Sequence, residues 1–375
     1  MKTIEADIYE AFAKAGAILQ ANAQDPVKVR QPVYKPSSPK QSSFQRAART
    51  DKGVHAAGNI ISLKLMPSED LVEKMNSLLP PQIRLWGIQR VNNSFNSHLH
   101  CDSRVYEYIL PSHCFLPPKP GSTAASCAIP LESQNRPAEP EDTFWDSIID
   151  SDYFSLLRRY NANRKESPLE RLQELSKEEL ERFENMKAKE TAEIRAFRIS
   201  PSRLERIRAT INIYQGTHNF HNLTIGVPYN SSQAKRYIIS INMGEPHLIA
   251  STEWLRIKIH GQSFMLHQIR KMIGALLMAI RYGVGEESVR TALTTSENMH
   301  IPKAPAQGLL LERPIFSGMA QKLEKTGNEA LHWEPYEEKI EKFKDEFIYK
   351  SIFRETTSEN VYEFSFFACV ANCVF

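Results

Sequence analysis

The stretch WLRIKIHGQSFMLHQIRKMIGALLMAI (254–280) changes its period halfway along. Leu255, Ile257 and Ile259 alternate with Arg256, Lys258 and His260, the two-residue repeat of a half-buried strand. Beyond Gly261 the apolar residues recur at 265, 269, 272, 273, 276 and 280, which predicts a helix with one dry face. Arg270 and Lys271 lie in the first half of that helix, on its other side. A strand running into an amphipathic helix points to a mixed α and β layer.

Upstream, a helix is expected near 202–213, then a Gly, His and Asn rich loop, YQGTHNFHNLT (214–224), then a strand, KRYIISI (235–241). At the start of the chain, Ile4, Ile8, Ala11, Ala15 and Leu19 share one helical face over residues 3–19, with Thr3 as N-cap. The Pro and Ser rich run DPVKVRQPVYKPSSPKQSS (25–43) reads as a loop. Residues 59–65 alternate as a strand, and Pro67 and Ser68 open a helix carrying Leu71, Met75, Leu78 and Leu79 until Pro80 ends it. IRLWGIQRV (83–91) and RVYEYIL (104–110) are further strand candidates, rich in branched and aromatic residues.

From Pro111 to Pro140 the chain is Pro-rich and aperiodic, and up to about Glu190 it is dense in charge with helical spacing, as in LERLQELSKEELERF (169–183). Beyond 285 come a short helix, a Pro-rich loop and a charged tail helix near 335–348. These readings divide the chain into an N-terminal lobe (1–112), an insertion (113–190), a second lobe (191–320) and an extension (321–375). The expected fold class is α+β, two lobes built on antiparallel sheets flanked by helices.

The chain has 375 residues, 41% hydrophobic and 24% charged, enough to bury a sizeable core. Its cysteines, at 101, 114, 127, 369 and 373, form no CxxC pair and share no zinc-like spacing with histidine. No apolar run reaches the roughly 18 residues of a membrane span, and MKTIEADIYE lacks the order of a signal peptide, so an intracellular, reducing compartment is expected. The net charge of +3 announces no partner. Local charge is more pointed: Arg195, Arg198, Arg203, Arg206 and Arg208 cluster, as do Arg46, Arg49 and Lys52. Such clusters either track a phosphate backbone or form a salt-bridged face.

Within FQRAARTDKGVHAAGN (44–59), Asp51 sits in a turn set by Gly53, between Arg49 and Lys52. An ionised carboxylate there either caps the turn or serves as a nucleophile or base. His218 and His221 stand three apart, but no carboxylate or cysteine follows them closely in sequence; Asn219 and Asn222 read as turn formers. A metal at that pair is therefore not expected.

The Asp51 segment, together with RVYEYILP (104–111), YQGTHNFHN (214–222) and IHGQSFMLHQIRKMIG (259–274), resembles the eukaryotic branch of the TruA-type tRNA pseudouridine synthases. The resemblance extends through KTIEADIYEAF (2–12), PPQIRLWGIQRVNNSFNSHLHCDSRVYEY (80–108), PKAPAQGLLLERP (302–314) and WEPYEEKIEKFKDEFIY (333–349). It implies that Asp51, in the family's RTD-x-GV motif, attacks the target nucleoside at ribose C1′ and frees uracil to turn and rejoin through C5. It implies that Tyr106 stacks on the target base, that Arg270 pairs with the nucleophile, and that Arg49 helps push the base from its stack. The GVHA form at His55 reads as neutral variation.

The implied substrate is tRNA, with other structured RNAs such as mRNA as candidates. No cofactor is expected, because isomerisation has no net redox change or hydrolysis. Relatives carry a first strand and a GYxGMQ-like motif ahead of the KTIE segment. This chain starts without them, so a catalytic sheet lacking that strand is expected. One rival reading is therefore a truncated family member that binds RNA without catalysis; another is a hydrolase pairing Asp51 with His218 or His221. The nucleus is the expected compartment, with mitochondrion and cytoplasm as alternatives, and the oligomeric state is left open.

Overall fold

A computed structural model describes residues 3–18, 43–122, 124–162, 172, 175–325 and 331–359. The Pro and Ser rich run at 25–42 and Cys369 and Cys373 lie outside the described residues. In chain order the elements used below are α1 (Ile4–Lys14), β1 (Gln45–Arg46), β2 (His55–Ala56), β3 (Ile61–Ser62), α2 (Leu71–Leu78), β4 (Ser103–Pro111), α3 (Ser151–Ala162), α4 (Lys177–Ala196), α5 (Pro201–Asn212), β5 (Gly216–Asn219), β6 (Lys235–Met243), β7 (His247–Ile249), β8 (Thr252–Gly261), α6 (Gln268–Arg281), α7 (Gly285–Thr294), β9 (Leu309–Ile315), α8 (Ser317–Lys325), α9 (Glu337–Phe343) and α10 (Lys350–Glu359). The class is α+β, with antiparallel pairing and flanking helices.

The chain forms two units that interleave in sequence: 1–50, 55–104 and 311–351 in the smaller, 51–54, 105–310 and 352–375 in the larger. In the smaller unit, Thr3 caps α1 by accepting from the Ala6 amide at 3.2 Å. The helix ends at Lys14 rather than Leu19, because Gly16 turns the backbone to φ +75°. Its Tyr9, Ala11 and Phe12 bury against Leu71, Met75 and Phe44, a face turned from the one read from spacing: Ile4 is exposed, and Ile8 and Ala15 are only half-buried.

Two strand expectations fail in this unit. Residues 59–65 contribute only the short β3, paired antiparallel with β1. IRLWGIQRV forms no strand. The Asn76 side chain instead donates to the Leu85 carbonyl and accepts from its amide, both at 2.8 Å, supplying what a neighbouring strand would have supplied.

In the larger unit β4, β8, β6 and β5 are successive neighbours in one sheet, and β7 pairs antiparallel with β8. β6 pairs antiparallel with both β5 and β8. Leu255, Ile257 and Ile259 are buried and Lys258 is exposed, as the alternation on β8 requires. The following helix departs from its expected form twice. It begins at Gln268, not after Gly261, and it is buried on every side from Met272 to Ile280 instead of on one face. The run LLLERPI, read as part of a Pro-rich loop, is the strand β9, with Leu309, Leu310 and Leu311 buried. The tail is helical well past 348: a π-helical turn (Lys344–Tyr349) joins α9 to α10.

Among the described residues of the charged stretch before residue 190, α3 and α4 pack around Tyr153, Leu156, Leu157 and Phe183; 163–171 and 173–174 lie outside them. Ser176 caps α4 through a reciprocal pair of hydrogen bonds with Glu179.

Candidate active site

Asp51 belongs to the larger unit and is held in its turn by the Val54 amide, which donates to the Asp51 carbonyl at 3.1 Å. Gly53 makes the turn possible at φ +84°, a left-handed conformation that a side chain would strain. The carboxylate is about a quarter exposed (26%), so it faces solvent from a fixed backbone.

Its partners come from the start of α6. Nδ1 of His267 lies 2.6 Å from Asp51 Oδ2; against a carboxylate, which only accepts, Nδ1 is the donor. Nη1 of Arg270 lies 3.6 Å from the same oxygen, an ion-pair distance longer than a hydrogen bond. The N-terminus of a buried 14-residue helix adds its own positive end, a favourable place for an anion. Asp51 and Arg270 are thus brought together, and His267 stands closer to the carboxylate than Arg270 does.

Three neighbouring segments fix this arrangement. Arg270 Nε donates to the Ala304 carbonyl at 2.7 Å, and the Ala304 amide returns a bond to the Arg270 carbonyl at 2.9 Å. Tyr108 Oη donates to the Pro305 carbonyl at 2.8 Å, and a methyl group on Gly53 would rest against Ala306 at 3.4 Å. The loop 304–306 is therefore shared by the arginine, the β4 tyrosine and the Asp51 turn. The second segment is the His and Asn rich loop. Lys271 Nζ donates to the carbonyls of Asn222 and Thr224, and Thr224 Oγ1 donates to the Leu266 carbonyl at 2.9 Å. Burial, reinforced by the Lys303 charge, lowers the Lys271 pKa below the usual lysine range.

Asn222 bonds through both ends of its amide, to the Glu297 carbonyl and from the Met299 amide. His218 Nε2 lies 3.0 Å from the Gln215 carbonyl, while the His221 ring packs edge-on to Tyr229 and its Nε2 lies 3.4 Å from the Glu297 carbonyl. Both imidazoles face main-chain carbonyls, in keeping with the turn-forming role given to this loop.

The third segment carries Tyr106, which is buried and meets the edge of Phe264 at 5.2 Å between ring centres and 81° between planes. Phe264 folds back over the end of β8 because Gly261 has no Cβ; one added there would come within 2.7 Å of the phenylalanine ring. Tyr106 thus connects to the His267 segment through Phe264. Arg49 belongs to the smaller unit, where its side chain is exposed.

The arginine cluster resolves toward the salt-bridged reading. Arg203 is 1% exposed and bonds Glu139 and Asp142 at 2.7 Å each, together with the Phe115 carbonyl. Arg206 also binds Glu139, and Arg208 binds Glu205 and Glu245. Arg198 donates to main-chain carbonyls. Arg203 and Arg206 hold the end of the Pro-rich segment against α5, and removing the Arg203 charge would strand carboxylates that are themselves buried. Burial pushes the Asp142 carboxyl up, but the Arg136 hydrogen bond, the Glu139 amide and the Arg203 charge outweigh it and hold the group down at about 2.

His267 was not legible as a site residue, because in the sequence it is one polar position inside a helical spacing. The available signal was its place immediately before the helix-forming run QIRKMIG (268–274), where no Ser, Thr, Asp or Asn stands to cap.

An α+β protein that presents a solvent-facing carboxylate at a helix N-terminus, with a histidine and an arginine on one oxygen, is equipped for nucleophilic or general-base chemistry. The family profile described as tRNA pseudouridine synthase matches residues 210–317, which include His267 and Arg270. The curated tRNA pseudouridine synthase 1 of Yarrowia lipolytica is 42% identical over 383 residues, covering 98% of this chain and 70% of that protein. The corresponding protein of Candida albicans is 38% identical, covering 99% of this chain and 62% of its own length. The tRNA pseudouridine(27/28) synthase of Saccharomyces cerevisiae is 36% identical, covering 86% of this chain and 80% of its own length. The chain belongs to the tRNA pseudouridine synthase family, a family of isomerases.

Proposed function

We propose that this chain isomerises uridine to pseudouridine in tRNA, with Asp51 as nucleophile. The observation that carries the reading is the Asp51 carboxylate, accessible to solvent yet tied through Oδ2 to His267 and Arg270. In the proposed course a carboxylate lone pair forms a bond to ribose C1′ and the N1–C1′ pair leaves with uracil. The base turns, its C5 bonds to C1′, and the carboxylate departs with the electrons it brought. C5 then loses its proton and N1 gains one, so atoms and charge balance without a cofactor.

Tyr106 is proposed to stack on the target base, and Arg49 to occupy the space the base vacates. Unstacking costs a few kcal/mol, and a planar guanidinium can partly replace the lost contact. Other structured RNAs, mRNA among them, belong to this proposal as further substrates. So does a nuclear address, supported by exposed basic residues on α4 such as Lys187, Lys189 and Arg195. A binding-only role is not favoured: relatives named as synthases match nearly the whole chain, and the carboxylate such chemistry needs is accessible.

The test uses tRNA transcripts carrying tritium at uridine C5. Isomerisation releases tritium to water while the strand stays intact and no free uracil accumulates. Free uracil, a cleaved strand, or tight binding without tritium release would each overturn the reading.

A further inference from the structure

His267 occupies the cap position of α6 but makes no capping hydrogen bond from its side chain. Its backbone is left-handed, at φ +60° and ψ +7°, a conformation most residues with a Cβ avoid. It is nevertheless held firmly. The Lys271 amide donates to its carbonyl at 3.0 Å, and Gln268 closes the preceding turn by donating to the Met265 carbonyl and accepting from the Met265 amide. The Leu266 carbonyl is anchored by Thr224. A strained residue fixed from both sides, whose ring bonds Asp51 and not the amides of its own helix, marks a position whose geometry serves a purpose.

Both side chains approach the same carboxylate oxygen. Oδ2 receives His267 Nδ1 at 2.6 Å and faces Arg270 Nη1 at 3.6 Å; Oδ1 accepts no hydrogen bond among the described residues. We infer that His267 is a positioning residue for the nucleophile: with Arg270 it occupies Oδ2 and leaves Oδ1 as the atom that bonds to ribose C1′.

The assignment rests on the Asp51 reading above and adds which oxygen reacts and what aims it. When Oδ1 forms the ester, Oδ2 becomes the ester carbonyl oxygen and still accepts from Nδ1, so the contact persists through the intermediate. As the carboxylate leaves again, negative charge returns to it and the hydrogen bond becomes charge-assisted once more, which favours release. The imidazole forms no bond to substrate; it acts through the orientation of the carboxylate.

Two substitutions separate aim from backbone shape, because Gly and Asn both tolerate the left-handed conformation. His267→Gly keeps the backbone and removes the donor. His267→Asn keeps the backbone and can place an amide N–H where Nδ1 stood. First-turnover tritium release and tRNA affinity are measured for both beside the native protein and Asp51→Asn, with thermal unfolding as a check on folding. The expected result is a fall of roughly 10–100-fold in first-turnover rate for His267→Gly, with affinity within about threefold of native. His267→Asn should recover to within roughly tenfold of the native rate.

Equal rates for Gly and Asn, whether both native-like or both low, would overturn the inference. A low Asn rate would assign the imidazole to proton transfer instead of aim. Should His267→Gly fail to fold, His267→Asn against native decides alone, a loss beyond about a hundredfold contradicting the inference. An active Asp51→Asn or an inactive native protein would sink the parent reading, and is distinguishable because neither measurement involves position 267.

Discussion

At the scale of single residues, charge neighbours in the sequence marked Asp51, while the group nearest to it lies 216 positions away and carried no mark of its own. Arg49 and Lys52 flank the aspartate in the chain, yet the contacts on its carboxylate come from His267 and Arg270. A sequence shows charges along the chain; the partner of a carboxylate is set by which loop the fold brings to it. Arg270 shows why the side chain type matters as well as the charge. Its guanidinium donates sideways to Ala304 while another nitrogen faces Asp51, a two-sided reach that an ammonium does not reproduce. Arg270→Lys is therefore expected to lower the first-turnover rate by roughly 10–100-fold with a small change in tRNA affinity. A rate within twofold of native would mean that charge alone suffices and that the fork does not orient the site.

At the scale of elements, patterns that depend on a residue's own face were readable and those that depend on a distant partner were not. The β8 alternation is local and appears as read, whereas on α1 only Ala11 of the stripe read from spacing is buried, beside Tyr9 and Phe12, because the aromatic rings and not the smaller aliphatic residues take the core. IRLWGIQRV has a strand's composition, but the Asn76 side chain takes the bonds of Leu85 and no ladder forms there. LLLERPI has a continuous apolar run, the mark of a strand covered on both sides, yet its Pro314 and the Pro-rich run before it suggested a loop. The start of α6 was misplaced because the spacing of Met265 and Ile269 continues a helical period across His267, where the backbone is left-handed. Gly261 sits at that same junction. Gly261→Ala would force Phe264 off the end of β8 and with it the edge contact on Tyr106. The expected outcome is a loss of about 1–3 kcal/mol in stability, as for overpacking, with a lower first-turnover rate. Unchanged stability and rate, read by denaturant unfolding and tritium release, would show that Phe264 does not support Tyr106.

At the scale of the whole molecule, Arg203 and Arg206, which looked fit for phosphate, serve the interior, and desolvated ionisable groups set how the protein meets acid. Burial, helped by the Arg281 charge, pushes the His113 imidazole from 6.5 down to about 4. The folded state then refuses a proton that the unfolded chain accepts, so stability is lost as pH falls from 6.5 towards 4 and levels off below. Asp142 works the other way: its carboxyl lies at about 2 against an ordinary 3.8, so its contribution is present above 3.8 and is lost between 3.8 and 2. Denaturant unfolding at a series of pH values should show a first decline of about 2–3 kcal/mol between 6.5 and 4 that His113→Gln removes. A flat profile over that window would contradict the desolvation of the half-buried His113 as a neutral ring. The central claim concerns position 51, and the most direct measurement is the pseudouridine formed in one turnover by Asp51→Asn at protein concentrations that saturate tRNA binding. That substitution exchanges one carboxylate oxygen for an amide and leaves the phosphate contacts that dominate RNA affinity in place. The account predicts no pseudouridine above background with tRNA affinity within a few fold of native; pseudouridine made at a native-like rate would contradict it.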